Sequence, residues 1–502
     1  MSQPARFALS AMEGNRMSMT RGLAIFICLV LCFVASSATA GGDDRIAGLV
    51  RDLDSQNVAT VERAISMLGF CGVDAAPAVP RLIEFLGHKQ DSLRWRAGRA
   101  LANLGASAGA AVPSMLKAME GKNGRPDGNM AAFVARMGMK VPAAMKGLVA
   151  ALESKNAKLR SAALTAFLAI PSAPEYASAA IARTVERGQL EEMRSAVYAL
   201  AHLREASQTA VPQLLGALRA EDESLRMHAA WALGRVGAGS DSVRQGLAAA
   251  RKADSVHVRA NAAYAVWALW GEEEGAIREL VAALESGKQT THYLKLIGEF
   301  GRAGSSAAPA VRAILKSDKR RDISRALVTL GQIGNPEKDA LPVAREFLKS
   351  EDRDYRVSAV EALSEIAPTC EPAVTLLADA LSDVYWRVRD RAADGLGRLG
   401  AKAAPAFPVL EKMLKDMRKA DLAAGILKNL GPDALPVLPA MIAALGNEEV
   451  FLSYIYIMEA IGSIGPAAKA AVPAIRRVLA DRLSIEETKM AATEALRAIQ
   501  EE

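Results

Sequence analysis

The sequence has few aromatic residues and almost no excess of charge of either sign. Aromatic residues make up 5% of its 502 residues, whereas apolar residues make up 51% and alanine is abundant. This apolar content excludes a disordered chain, and alanine favours closely packed helices because it is the best helix former. At this length a single compact core is excluded, so the chain must form several domains or a repeat array.

Charge also argues against one class of partner. Residues 1–40 hold three arginines and one glutamate, so the 62 basic and 56 acidic side chains of the whole chain become 59 and 55 beyond residue 40. A chain that is this close to neutral offers the phosphate backbone little attraction. We therefore expect no nucleic-acid partner.

The motifs of common catalytic and metal centres are missing as well. The sequence has no His-Glu pair, no HExxH, no CxxC and no P-loop. His228 and His257 occupy different positions in the repeat described below, so they do not form a metal pair. These absences predict that the chain is not an enzyme and that it binds no catalytic metal and no cofactor.

Residues 1–40 have the pattern of a secretory signal peptide. Arg21 precedes an apolar run of 13 residues, 23–35, and the segment ends in Ala38-Thr39-Ala40. We expect cleavage near Gly41 and an extracytoplasmic protein, periplasmic or secreted; translation from Met17 or Met19 would shorten the unusually long first part. The alternatives are a buried core helix or an uncleaved anchor, and only that anchor would tie the protein to a membrane.

Beyond residue 40, glycines punctuate the chain at a constant interval. An apolar residue followed by glycine recurs at spacings close to multiples of 33, at Gly105, Gly138, Gly237, Gly271, Gly301, Gly334, Gly400, Gly431 and Gly465. Glycine suits the left-handed position that ends many helices. The unit is therefore about 33 residues long, and residues 41–502 form one array.

Two further marks repeat in the same frame. Ala-Val-Pro precedes an apolar run at Pro80, Pro113, Pro212 and Pro473, as expected where proline opens a helix. A turn acid, then an apolar residue and an arginine, precedes an alanine-rich helix, and these arginines are Arg94, Arg160, Arg226, Arg259, Arg356 and Arg389. Each unit therefore reads as helix A, turn, helix B and glycine stop. We expect the acids to cap the B helices and the arginines to form a structural ladder by pairing with acids of the adjacent turn.

This pattern resembles the short HEAT-like repeats first noted in phycobilisome lyase subunits, and the resemblance covers residues 43–499. It implies an all-α, right-handed α-solenoid of about 13 or 14 helical hairpins. Cys71 and Cys370 would then lie about nine repeats apart, too far for a disulfide, and we expect both to be buried. The family name also leaves open a lyase-like or chaperone-like helper that cradles a pigment or cofactor.

One position of the B helices stands out. Counted from the first buried residue of each helix as 0, position 6 holds Tyr198, Trp231 and Tyr264 in three consecutive units, and Trp267 lies one turn beyond Tyr264. His202 and Arg235 occupy position 10. The rest of this row is basic towards the N-terminus, with Arg99, and acidic towards the C-terminus, with Glu361, Asp394 and Glu459.

Exposed tyrosine, tryptophan and arginine are typical of binding hot spots. We therefore predict that the four rings form an exposed stripe on the concave helix B face, where a protein or peptide binds a non-enzymatic scaffold. The alternative is that the rings pack on one another and only brace the array.

Overall fold

In a computed structural model of the chain, residues 42–121, 127–170, 173–237, 239–272, 275–481 and 486–500 are described. Among these residues there are helices and no β-strand, as the sequence predicts. The chain divides into two compact units, one up to Ala282 and the other from Ala283. The predicted signal peptide lies outside the described residues.

Helices of the first unit alternate between A and B. The A helices are α1 (Gly42–Asp52), α3 (Val79–Phe85), α5 (Val112–Ala118), α7 (Pro142–Leu152), α9 (Glu175–Arg187), α11 (Val211–Ala217) and α13 (Asp241–Ala250). The B helices are α2 (Val58–Leu68), α4 (Asp91–Leu104), α6 (Gly128–Gly138), α8 (Ala157–Phe167), α10 (Leu190–Leu203), α12 (Glu223–Val236) and α14 (Val256–Trp270). Helix α15 (Ala276–Glu285) is an A helix that crosses the boundary between the units.

The second unit continues the alternation. Its B helices are α16 (Thr290–Glu299), α18 (Arg320–Ile333), α20 (Arg353–Ile366), α22 (Trp386–Gly397), α24 (Ala420–Leu430), α26 (Tyr454–Ile464) and α28 (Glu486–Gln500). Its other A helices are α17 (Ala308–Ala313), α19 (Leu341–Phe347), α21 (Glu371–Ala380), α23 (Phe407–Met413), α25 (Leu438–Ala444) and α27 (Val472–Ala480). Over the described residues, α1 to α28 therefore make fourteen hairpins, in agreement with the predicted repeat.

Small residues let consecutive B helices pack closely side by side. A Cβ atom on Gly234 of α12 would lie 2.7 Å from Cα of Ala265 on α14, and one on Gly331 of α18 would lie 2.7 Å from the carbonyl oxygen of Ala362 on α20. Real Cβ atoms do not come this close, so glycine is needed at both positions. The alanine-rich composition thus sets the distance between the helices. This distance determines how far the larger side chains are buried.

Helix ends follow the glycine prediction at most of the positions. Seven of the nine glycines have a positive φ, namely Gly105, Gly237, Gly271, Gly301, Gly400, Gly431 and Gly465. The prediction is wrong for Gly138, which lies inside α6, and for Gly334, whose φ is −71°. After Gly334 the side chain of Asn335 accepts hydrogen bonds from the amides of the next turn, so an extended backbone suffices there.

The prolines of the Ala-Val-Pro marks lie in the first turn of α3, α5, α11 and α27, where a missing N–H costs nothing. Among the described residues, one stretch, Glu448–Ala480, is long and apolar enough to cross a membrane. It contains two separate helices, α26 and α27, because the chain turns at Gly465 with a φ of 73°. Ile457 and Ile461 of this stretch are fully buried in the core of the unit.

Candidate interaction surface on the B helices

Seven side chains on α10, α12 and α14 form the surface that we call the aromatic face: Tyr198, His202, His228, Trp231, Arg235, Tyr264 and Trp267. They project from positions 3, 6, 9 and 10 of their helices, on the side opposite to the buried stripe of α12. That stripe is confirmed, because Leu225, Ala229, Leu233 and Val236 are all buried. The local sequence therefore turns these seven residues away from the A helices.

Exposure differs sharply along this row. Tyr198 is 41% exposed, whereas Trp231 is 7% exposed and Tyr264 is 2% exposed. His202 is exposed, and Arg235 and Trp267 are half-buried. The prediction of four solvent-accessible rings is therefore wrong for Trp231 and Tyr264.

Close helix packing explains the two buried rings. Because Gly234 and Ala265 bring α12 and α14 almost into backbone contact, a large ring at position 6 of these helices has little access to solvent. The ring of Tyr198 then covers Trp231, with 5.1 Å between centroids and 32° between planes, and Tyr264 lies 5.8 Å from Trp267. Trp231 thus packs against a ring of the neighbouring helix and Tyr264 against a ring of its own helix, as in the alternative that the sequence left open.

Tyr198 stays exposed because it ends the row. The equivalent position of α8 holds Thr165, which is itself exposed and carries no ring to cover the tyrosine. The edge of the phenol ring meets His228, whose ring centroid lies 6.4 Å away in an edge-on arrangement. Tyr198 therefore offers a free face to solvent and is supported from behind by a tryptophan and a histidine.

His228 was not singled out for this surface from the sequence. Its Nδ1 atom lies 3.3 Å from the hydroxyl of Ser224, one turn earlier on α12. Burial lowers the pKa of His228 and the charge of Arg194 lowers it further, while the hydrogen bond with Ser224 and the charge of Asp222 oppose this shift. The imidazole is therefore neutral at pH 7. Its position 3, one turn before Trp231, was the sequence signal that could have placed it here.

The ladder arginines cap the A helices. In all six, Nη1 donates to a carbonyl oxygen six residues earlier, at the turn that follows helix A; in Arg226 it reaches Ala220 at 2.7 Å and in Arg389 it reaches Asp383 at 2.7 Å. The other four, Arg94, Arg160, Arg259 and Arg356, make the same bond at 2.8 to 3.0 Å. A cation at the C-terminal end of a helix also interacts favourably with its dipole.

Three of these arginines also pair with an acid of the next repeat. Arg160 binds Glu192 at 2.7 Å, Arg356 binds Asp383 at 2.7 Å and Arg259 binds Glu279 at 3.1 Å. Arg94 instead pairs with Asp91 of its own helix at 2.6 Å. The contacts of the ladder thus hold successive hairpins together and leave it little capacity for a ligand.

The turn acids do cap B helices. Asp222 accepts a hydrogen bond from the amide of Leu225 at 2.7 Å at the start of α12. Hydrogen bonding from Arg194, more than the cap itself, holds the pKa of Asp222 below its ordinary value. One carboxylate therefore starts a helix and links two repeats.

The charged side chains at position 6 differ from one another in whether they have an ion-pair partner, which the sequence did not predict. Two acids of the second unit are paired with bases of neighbouring B helices: Arg391 binds Glu361 at 3.3 Å, and Lys428 binds Glu459 at 3.0 Å. In the first unit, Arg99 is exposed and has no ion-pair partner in the described part of the chain. The basic side is thus more open to a partner than the acidic side.

Neither cysteine points to a disulfide. Cys370 is buried as expected, but Cys71 is only half-buried, and both are free thiols. Burial raises the pKa of the Cys71 thiol, so it is not activated as a thiolate. Within the described ranges, no three His, Cys, Asp or Glu side chains gather in a way that could hold a metal ion.

Several solved structures are weakly similar to this chain. Importin beta is 13% identical, with a TM-score of 0.44 over 91% of this chain and 76% of that chain. Kap95p, the yeast importin-beta, in a structure with RanGDP is 14% identical with a TM-score of 0.38, and this chain covers 66% of its length. A model of the AP-3 complex is 12% identical with a TM-score of 0.38 over 92% of this chain and 90% of that chain. At these values the likenesses carry no argument about function.

No curated protein sequence is significantly similar to this chain. The family model of HEAT repeats, however, matches residues 191–270, 308–397 and 341–431, which include α10 to α14 and much of the second unit. These matches fall on the same helical hairpins that the glycine, proline and arginine marks delimit. The described chain is an all-α solenoid, and HEAT repeats are detected within residues 191–270 and 308–431.

Proposed function

We propose that the protein is a non-enzymatic, extracytoplasmic scaffold that binds a protein or peptide on its aromatic face. The HEAT-repeat solenoid is typical of protein-interaction scaffolds, and repeat arrays present extended surfaces of this kind. The observation that carries the proposal is the exposed ring of Tyr198, held rigidly on the buried ring of Trp231.

A partner would find an anchored aromatic contact here. Tyrosine and tryptophan give large contact areas at a small entropic cost, and they are enriched among residues that dominate binding energy. Trp231 fixes one side of Tyr198, so little rotamer freedom remains to be lost on binding. Half-buried Trp267 and Arg235 and exposed His202 add further apolar and hydrogen-bonding groups to the aromatic face.

The extracytoplasmic location rests on residues 1–40, where Arg21, the apolar run and the Ala-Thr-Ala end support a cleaved signal. N-terminal sequencing of protein recovered from the medium or the cell envelope should begin near Gly41. A mature chain that keeps Phe26 would contradict cleavage. Recovery from the cytoplasm alone would contradict the location.

The binding proposal is tested by affinity capture from the same compartment, read by quantitative mass spectrometry. Wild type and Tyr198→Ala serve as paired baits, and Tyr176→Ala is the matched control because Tyr176 is 45% exposed on an A helix of the same unit. We expect a protein that wild type and the Tyr176 variant retain and that the Tyr198 variant loses. Equal capture by all three baits would show that the aromatic face does not bind it.

A further inference from the structure

A polar stripe runs along one side of α18 in the second unit. Arg321, Ser324, Arg325 and Val328 have the spacing i, i+3, i+4 and i+7, which places them one above another on the helix. Thr291 of α16 and Ser358 and Glu361 of α20 flank the stripe, and the seven side chains line one groove. We call it the arginine groove; its residues all belong to the second unit, whereas those of the aromatic face belong to the first.

The cations of this groove are unusual in lacking counter-charges. In the part of the chain that the structure describes, Arg321 and Arg325 make no ion pair or hydrogen bond. Lys295, which is exposed at position 6 of α16, also lacks an ion-pair partner there. Two like charges four residues apart on a helix cost about 0.2 to 0.5 kcal/mol, so the arrangement does not serve stability.

Other basic side chains of the second unit behave differently. Arg320, beside Arg321, binds Asp352 at 2.9 Å and Asp354 at 3.2 Å. Arg391 and Lys428 are likewise paired with carboxylates of neighbouring helices. Pairing is therefore common in this unit, and the two arginines of the groove depart from it.

The carboxylates near the groove are already engaged. Asp322 accepts a hydrogen bond from the hydroxyl of Thr291 at 2.9 Å, and Glu361 binds Arg391. The hydroxyl of Ser358 donates to the carbonyl oxygen of Asp354 at 3.0 Å. The donors that remain for a ligand are the two guanidinium groups and the hydroxyl of Ser324.

We propose that the arginine groove binds a tetrahedral oxyanion, either a phosphoryl or a sulfuryl group. A single guanidinium satisfies a planar carboxylate with two parallel hydrogen bonds, which would leave the second arginine unmatched. A phosphoryl group presents three oxygens and a charge of about −1.5 to −2 at pH 7, enough for both arginines and the serine hydroxyl. The site does not depend on the aromatic face or on its partner.

Isothermal titration with inorganic phosphate, sulfate and acetate, at one ionic strength and pH 7.5, tests this assignment. Wild type should bind phosphate or sulfate saturably and acetate at least about tenfold more weakly, because acetate engages only one arginine. The phosphate and sulfate arms separate the two ligand chemistries. Equal affinity for acetate, or no saturable binding of either tetrahedral anion, would overturn the proposal.

Arg320→Gln is the matched control, since it removes the same charge from the neighbouring residue outside the groove. We expect Arg321→Gln and Arg325→Gln each to weaken phosphate or sulfate binding about tenfold, and Arg320→Gln to change it less than about twofold. An equal loss in the control would mean attraction to net charge alone and would contradict the site. If Arg325→Gln does not fold, as judged by circular dichroism, the exposed Arg321 decides the comparison.

Discussion

The same helical hairpin carries two different surfaces in the two units of this chain. On α10, α12 and α14 of the first unit, rings occupy the B-helix positions and pack across neighbouring helices, with Tyr198 over Trp231 at 5.1 Å. On the B helices of the second unit, charges occupy these positions and pair across helices, as Lys428 does with Glu459 at 3.0 Å. The buried side of the repeat sets the fold, and the opposite side is free to differ.

On each surface a few side chains lack the contact that their neighbours make, either a covering ring or an ion-pair partner. In the aromatic row this group is Tyr198, which ends the row and keeps an exposed face. In the charged rows it is the pair Arg321 and Arg325, which lack counter-charges in the described part of the chain. We regard these exceptions as the positions to test, and substitutions at and around them can separate bracing from binding.

The largest expected effect concerns the buried ring. Trp231→Ala should lower the free energy of unfolding by about 3 to 5 kcal/mol, because it leaves a cavity between α12 and its neighbours. Chemical denaturation of the variant and of Tyr198→Ala provides the comparison, and the exposed tyrosine should cost less than about 1 kcal/mol. A small effect at Trp231 would mean that the ring is not a brace.

In the second unit, the arginine ladder contains the pair Arg356–Asp383. Its side chains are only 12% and 14% exposed, and Asp383 also accepts a hydrogen bond from the amide of Tyr385. Asp383→Asn should destabilise the chain by about 1.5 to 3 kcal/mol, since charge-assisted hydrogen bonds are lost. Asp354→Asn, at an exposed pair with Arg320, is the control and should cost less than about 1 kcal/mol. An equal loss of stability in the two variants would mean that the buried pair contributes no more than the exposed one.

A strained residue lies beside the aromatic face. Arg204 follows α10 with a φ of 54° and a ψ of −130°, where Gly105 has 59° and −121° at the end of α4. Arg204→Gly should raise the free energy of unfolding by about 1 kcal/mol, because relief of strain exceeds the added flexibility of the unfolded chain. Glu205→Gly, one residue later, should give no gain in the same denaturation experiment. A loss of stability in Arg204→Gly would show that the arginine side chain matters more than its backbone.

The smallest expected effect is a pH dependence in the first unit. Burial lowers the pKa of His228, so the unfolded chain binds a proton at pH values where the folded chain does not. Stability should therefore fall as the pH drops through about 6.5, the ordinary pKa of histidine. His228→Gln should reduce the decline between pH 7 and pH 5 in denaturation curves. If stability declines equally in this variant, other titrating groups cause the decline.

Much of the fold could be predicted from the sequence because its marks act locally. Proline at the start of a helix, an acid at its cap and glycine at its end each have a cause within a few residues. Gly138 and Gly334 deviate because neighbouring residues end those helices differently. The recurring arginines were recognised as structural from spacing alone, although their bonds to carbonyl oxygens of the preceding turn were not foreseen.

The exposure of the rings could not be predicted in this way. Trp231 and Tyr264 share position 6 with Tyr198, so periodicity treats the three alike. Their burial depends on the distance between α12 and α14, which Gly234 and Ala265 set through contacts 31 residues apart in sequence. Whether a ring is covered also depends on the residue at the same position of the adjacent B helix. Beside Tyr198 this residue is Thr165 of α8, which carries no ring.

The central claim is that Tyr198 is a binding residue and not merely a brace, and one affinity measurement tests it directly. The dissociation constant of the captured partner is compared for wild type, Tyr198→Ala and the matched control Tyr176→Ala. We predict that Tyr198→Ala weakens binding by about 2 kcal/mol, roughly 30-fold, while the control changes it less than about twofold. Unchanged affinity in Tyr198→Ala, or an equal loss in Tyr176→Ala, would contradict the account.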